Sequence, residues 1–210
     1  MEYLAIFGTI AVISLLAAMS PGPDFIVVTK NSIGGSRSVG LYTAIGVGLG
    51  ILSHLTYSLI GIGLIISQSI ILFSIIKYAG ALYLFYLAYQ LLKAKQHDQN
   101  NDDKKSFQPV TISKWQALKE GFFTNSLNPK ATLFFLSIFT QVIDPNTPLL
   151  IQGLLGLEVA VIVGVWFCIL ALIITHKTIA KSFQKVHYYL MKLMGGALVL
   201  LGIKLVFENK

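Results

Sequence analysis

Apolar residues run in six long blocks separated by shorter polar ones. The blocks predict helices at about 3–29, 39–66, 69–92, 118–142, 148–174 and 188–207. The stretch from Ser38 to Ile76 holds no charged residue other than an ionisable His54. Drawn as one helix it would be about 58 Å long, roughly twice the thickness of a bilayer's hydrocarbon core, so it must fold back on itself. SQS at 67–69 predicts the hairpin and DPNTP at 144–148 predicts a turn. The one long polar segment, 93–114, divides the chain into a three-helix unit at 1–92, a polar linker at 93–117 and a second three-helix unit at 118–210, all within one membrane domain.

Two apolar runs are interrupted from within. SPGPD at 20–24 sits in the first and SLNPK at 126–130 in the fourth. Proline lacks an N–H and its ring clashes with the carbonyl four residues back. Pro21 and Pro23 therefore release the carbonyls of Ala17 and Met19, and Pro129 that of Asn125. Unpaired backbone groups facing lipid cost several kcal/mol each, so such breaks survive only against protein or a wet cavity. Each break also restarts a helix, with Gly22 or Ser20 as cap before Pro23, and Asn128 as cap before Pro129. Two half-helices would then point their N-terminal N–H groups into the membrane interior, where they attract an anion such as a carboxylate. The plainer reading is a pair of kinks that shape packing.

Composition agrees with a membrane location. The chain is 55% hydrophobic and 12% charged, against about 25% charged for a soluble domain, and its mean hydropathy is +0.73. The net charge of +7 does not point to nucleic acid, because the basic residues cluster in short loops. Lys30 and Arg37 follow helix 1. Lys93, Lys95, Lys104, Lys105, Lys114 and Lys119 lie between helices 3 and 4, and Lys177, Lys181, Lys185 and Lys192 between helices 5 and 6. Basic loops stay in the cytoplasm, which puts both termini outside. The N-terminal run lacks the basic flank of a signal peptide, so it reads as a retained first helix. Cys168 stands alone in an apolar run and reads as a packed hydrophobe.

Three helices per half is an odd number, so any repeat is inverted. SPGPD aligns with SLNPK, and KYAGALYLFYL at 77–87 resembles LMGGALVLLGI at 193–203. Inverted repeats with interrupted helices are a mark of secondary transporters. The predicted fold is thus an all-α integral membrane protein of six transmembrane helices in two inverted three-helix repeats, helices 1 and 4 being broken.

Charges sit at equivalent places beside the two breaks, Asp24 in one and Lys130 in the other. A charge at that depth needs a partner or water. Asp24 can accept an ammonium, and Lys130 with the half-helix N-termini can hold a carboxylate, a pairing that fits a zwitterion. An Asp24–Lys130 pair that only ties the halves together is the other reading. The candidate substrate-binding residues are Pro21, Gly22, Pro23, Asp24, Asn128, Pro129 and Lys130. Glu158, about ten residues into helix 5, and His54 are candidates for proton coupling, set against an exit-side carboxylate and a hydrogen-bonded packing histidine.

At these residues the chain resembles the LysE/RhtB-type amino acid exporters. SPGPDFIVVTKNSIGGSRSVGL is similar to the family's PGP signature and basic loop. AIGVGLGILSHLTYSLIGIGL resembles its glycine-rich second helix, KYAGALYLFYLAYQLLK its third, and NPKATLFF with Gln141 its fourth. Thr140 departs from the proline usual there. The resemblance implies a bacterial cytoplasmic-membrane exporter of amino acids or small amines, driven by the proton gradient, that needs no cofactor. Its partners would be an amino acid-like solute, protons and the lipid bilayer, with no nucleic acid; a homo-oligomer is compatible with this. No hydrolase, zinc-protease or nucleotide-binding motif suggests an enzyme. An exporter of a metal or other cation and a passive channel are the alternatives, although Asp24, Glu158, His54 and Cys168 make a thin ligand set.

Overall fold

The computed structural model describes residues 2–68, 111–141 and 147–176, with single positions between Tyr78 and Lys93 and between Tyr189 and Ile203. The helices predicted at 69–92 and 188–207, their internal likeness, and most of the polar linker lie outside the described residues; the single positions described there are helical. Among the described residues there is no strand. The helices are α1 (Glu2–Met19), α2 (Pro23–Gly34), α3 (Arg37–Gln68), α4 (Lys114–Ser126), α5 (Pro129–Gln141) and α6 (Leu149–Ile174).

The chain turns sharply at the first interruption. The predicted helix 1 is two helices, α1 and α2, that meet at a bend of 60°. Gly22 caps α2 in extended conformation, and Pro23 occupies its first turn, where a missing N–H costs nothing. The fourth predicted helix likewise divides into α4 and α5 at Leu127–Asn128. It begins four residues before the predicted start at 118, because Ser113 and Gln116 form a capping box. The Ser113 hydroxyl accepts the Gln116 N–H at 3.2 Å, and the Gln116 side chain accepts the Ser113 N–H at 2.8 Å. α3 is helical through Gln68, and the rest of the hairpin expected at 67–69 lies outside the described residues. α6 begins at Leu149, one residue after the predicted start, with Pro148 at its N-cap position.

The helix surfaces are those of a bundle solvated by lipid. On α6, Leu155, Val159, Val163, Phe167 and Leu170 are buried, while Leu154, Leu157, Val161, Val165 and Ile169 form an equally apolar exposed stripe. A helix apolar all round with only one face covered by protein belongs in a bilayer. Leu4, Leu127 and Leu150 are each more than 70% exposed, at 77%, 78% and 73%. α3 and α6 are each long enough and apolar enough to span, and α1 with α2 makes a third, bent span.

α3 is the central column. It packs most extensively on α4 and α6 and also meets α2 and α5, while α1 lies on α6. Small residues set these distances. A Cβ on Gly46 would overlap the Leu118 carbonyl, and one on Gly121 the Thr43 carbonyl, so α3 and α4 touch backbone to backbone. Gly48 and Gly164 do the same for α3 and α6, with 3.0 Å from a Gly48 Cβ to the Gly164 Cα. Close approach through small residues is the normal means of joining helices where lipid removes the hydrophobic drive.

Candidate functional site

The two breaks meet. At the first, α1 ends at Met19 and leaves carbonyls without helical partners. The Lys130 ammonium fills that place, donating to the Ser20 carbonyl at 2.8 Å, to the Ser20 hydroxyl, and more distantly to the Pro21 carbonyl at 3.5 Å. A cation at a helix C-terminus also meets the negative end of its dipole. Lys130 therefore reaches across from the second break and lies over Gly22, where a Cβ would stand 3.2 Å from the lysine Cδ.

At the second break, Asn128 does two jobs. Its Oδ1 accepts the Lys130 N–H at 3.0 Å, as a cap does, and its Nδ2 donates to Asp24 Oδ2 at 2.9 Å. Asn125, one turn earlier, donates its own Nδ2 to the same carboxylate oxygen at 3.0 Å. The carbonyl of Asn125, which Pro129 removes from the helix ladder, is taken by the Asn128 N–H at 2.8 Å and by His54 Nε2 at 2.8 Å. The imidazole must carry its proton on Nε2 to donate there. It is fully buried and stacks on Phe135 with ring centroids 5.8 Å apart.

Asp24 Oδ2 is thus doubly satisfied, whereas Asp24 Oδ1 has no hydrogen-bond partner although it is buried. Asn125 Oδ1 and Ser14 Oγ are among the other buried atoms that share that condition. All three residues border one cavity of about 40 Å³ together with Gly22, Asn128 and Lys130, space for roughly three waters. Phe25, Phe134 and Phe167 form apolar walls. Buried polar atoms without partners are rare and call for an explanation.

Of the residues singled out from sequence, Gly22, Asp24, Asn128 and Lys130 line this cavity. Pro21, Pro23 and Pro129 are exposed and do not; their part is to make the breaks. His54 lies outside the lining but holds the Asn125 carbonyl. Glu158 stands apart from the cavity on α6, with Oε2 buried and without a hydrogen-bond partner. Asn125 and Ser14 had escaped notice. Asn125 sits one helical turn before Asn128 on the same face, a pattern visible in NSLNPK. Ser14 gives no such signal, because an isolated serine in an apolar helix ordinarily bonds the carbonyl four residues back.

A second polar cluster lies below the breaks, toward the basic loops. Lys30 on α2 pairs with Glu120 on α4 at 2.5 Å. Asn31 donates to Glu120 at 2.9 Å and to Thr43 of α3 at 3.0 Å. Three helices are thereby tied together at one level. Among the described residues no group of three or more His, Cys, Asp or Glu side chains is arranged to hold a metal ion.

A helical membrane protein in which two broken helices meet over a polar cavity has the build of a secondary transporter. The chain belongs to the LysE type translocator family, whose model matches residues 15–209; it is an integral membrane transporter and not an enzyme. It is similar to a threonine efflux protein of Salmonella typhi, 27% identical over 206 residues that cover 98% of this chain and 100% of that one. A threonine efflux protein of Escherichia coli K12 is similar to the same extent. The membrane protein YrhP of Bacillus subtilis is 29% identical over 197 residues, 91% of this chain and 94% of the relative. No solved structure matches the chain.

Proposed function

We propose that this protein exports a small amino acid across the bacterial cytoplasmic membrane by proton antiport, its two halves working as inverted repeats that expose one site alternately to either side. The observation that carries the reading is Asp24. It is a buried carboxylate with one oxygen held by two asparagines and the other without a partner, in the cavity that Lys130 borders from the opposite break. A carboxylate oxygen without a partner, in a cavity partly walled by phenylalanines, suits a cationic group. A zwitterion supplies one at its ammonium end and offers Lys130 a carboxylate in place of the Ser20 carbonyl. The names of the threonine efflux relatives favour a small hydroxylated amino acid.

In this reading the Lys30–Glu120–Asn31 cluster is the cytoplasmic gate. It lies between the cavity and the basic loops, which the charge bias assigns to the cytoplasm, and it must part for substrate to enter. Glu158 carries the returning proton, being a partnerless carboxylate oxygen buried within a span. His54 keeps Asn125 in place.

Proteoliposomes loaded with labelled threonine test the assignment. Lys130→Met should raise the KM for threonine by about tenfold or more, the worth of a hydrogen bond to a charged group. It should leave the response to 1-amino-2-propanol, which is threonine without its carboxylate, unchanged. Equal loss for both solutes would remove Lys130 from the carboxylate seat. Glu158→Gln should flatten the dependence of efflux on pH; a variant that kept the full wild-type pH profile would take the proton role away from Glu158.

A further inference from the structure

Ser14 shares with Thr29 and Ser126 a buried hydroxyl without a partner, but of the three only Ser14 borders the cavity, and other hydroxyl residues show the ordinary arrangement it lacks. Thr9, Ser32, Thr43, Ser137 and Thr175 each donate to the carbonyl four residues back, at 2.7 to 2.9 Å. That is the default for Ser and Thr within a helix. Ser14 is fully buried in the middle of α1, makes no such bond, and borders the cavity. Asn125 is also fully buried, with Nδ2 spent on Asp24 and Oδ1 without a partner. A Cβ on Gly50 would come within 2.9 Å of that Oδ1, so α3 leaves the amide no room to retreat.

We propose that Ser14 Oγ, Asn125 Oδ1 and Asp24 Oδ1 form a three-point seat for a primary ammonium, and that Ser14 and Asn125 make the transporter select against N-methylated substrates. The assignment rests on the reading of Asp24 as the ammonium acceptor and adds to it the two residues that count hydrogens. An –NH3⁺ group has three donors and no acceptor. The seat offers three partnerless oxygen atoms, one of them anionic, so charge and hydrogen-bond number both match. Leaving any of the three buried and unmatched is costly. Each methyl on nitrogen removes a donor and strands one oxygen, and a site built on hydrogen bonds rejects such analogues strongly. The phenylalanine walls give a displaced methyl no polar compensation.

The test uses the full-length protein in two assays. In proteoliposomes exporting labelled threonine, the competitors are unlabelled threonine and its N-methyl, N,N-dimethyl and N,N,N-trimethyl derivatives. The wild type should lose about tenfold in apparent affinity with each of the first two methyl groups. Ser14→Ala should lose about tenfold for threonine and little for the dimethyl derivative, so that the ladder contracts. A flat ladder in a wild type that exports threonine overturns the seat and leaves the export reading intact. Detergent-solubilised protein is then heated with propylammonium or with its N-methylated series. Greater stabilisation by the primary ammonium, abolished by Ser14→Ala, supports the seat even if threonine is not exported, an outcome that would overturn the export reading alone. Equal stabilisation by all members of the series overturns the seat. If Ser14→Ala does not fold, the two wild-type ladders still decide.

Discussion

Asp24→Asn is expected to impair efflux severely while leaving the protein as stable as the wild type or more so. The substitution is isosteric and keeps an oxygen for the Nδ2 groups of Asn125 and Asn128, which lie 3.0 and 2.9 Å from the carboxylate. The new amide would take the place of Asp24 Oδ1 and direct two N–H donors into the cavity, where Asn125 Oδ1 and Ser14 Oγ have no partners. A carboxylate oxygen and two acceptors that lack partners are thereby replaced by a hydrogen-bonded neutral group. That is favourable for the folded state and damaging to a site that needs the charge. Removing one member of a buried charged contact costs about 2–5 kcal/mol, so kcat/KM for threonine should fall by roughly 30-fold to several thousand-fold. Efflux from proteoliposomes and thermal unfolding in detergent would be measured on the same preparation. Undiminished efflux would remove Asp24 from the site. A large fall in melting temperature would instead make it a structural tie between the halves, the rival role allowed by its position beside Lys130.

Stability and function pull in opposite directions at this site, and other features follow the same logic. Lys130 holds the end of α1, so a carboxylate bound there, as proposed, would have to compete with a bond the protein already makes. The breaks themselves are destabilising as helices, yet they expose polar backbone where the cavity needs it. Two helix breaks and three partnerless polar atoms at one cavity, in a bundle otherwise close-packed through glycine, break local rules of the kind that functional sites break.

The large features were legible in the chain because each has a local cause. Proline forbids a helical hydrogen bond wherever it stands, so the breaks at Pro23 and Pro129 are readable from single residues. The span of α6 is readable from its uninterrupted apolar run, which only lipid can accommodate. Asp24 and Lys130 stood out because charges are rare at that depth. What escaped is non-local. Glu120 looks like an ordinary acid at a helix start until α2 brings Lys30 and Asn31 beside it, about ninety residues earlier in sequence. Ser14 is conspicuous only by a bond it does not make. The expected roles of the helix N-termini and of Lys130 were separable only in three dimensions, where the lysine caps a C-terminus. The earlier start of α4 was within reach, since Ser113 and Gln116 stand at capping-box spacing, but the eye follows the apolar run and not the polar turn before it.

Gly121→Val should cost the protein its fold. A Cβ at this position would overlap the Thr43 carbonyl and stand 3.1 Å from the Val47 N–H, both of them backbone atoms of the central α3. Backbone cannot step aside as a side chain can, and Gly46 faces α4 under the same constraint, 2.9 Å from a would-be Cβ to the Phe122 nitrogen. Relieving the clash means separating α3 from α4, which also parts Asn31, Thr43 and Glu120 and draws His54 off the Asn125 carbonyl. Overpacking alone costs about 1–3 kcal/mol, and the lost contacts add to it. Gly153 is the control. It lies on α6 with nothing within 4 Å of an added Cβ, so Gly153→Ala should be neutral or stabilising by up to about 1 kcal/mol, because alanine is the better helix former. Yield of monodisperse protein and melting temperature in detergent compare the two variants directly. If Gly121→Val matched Gly153→Ala in both, α3 and α4 would not be in backbone contact, and the shared floor beneath Asp24 and Asn125 would have to be built another way.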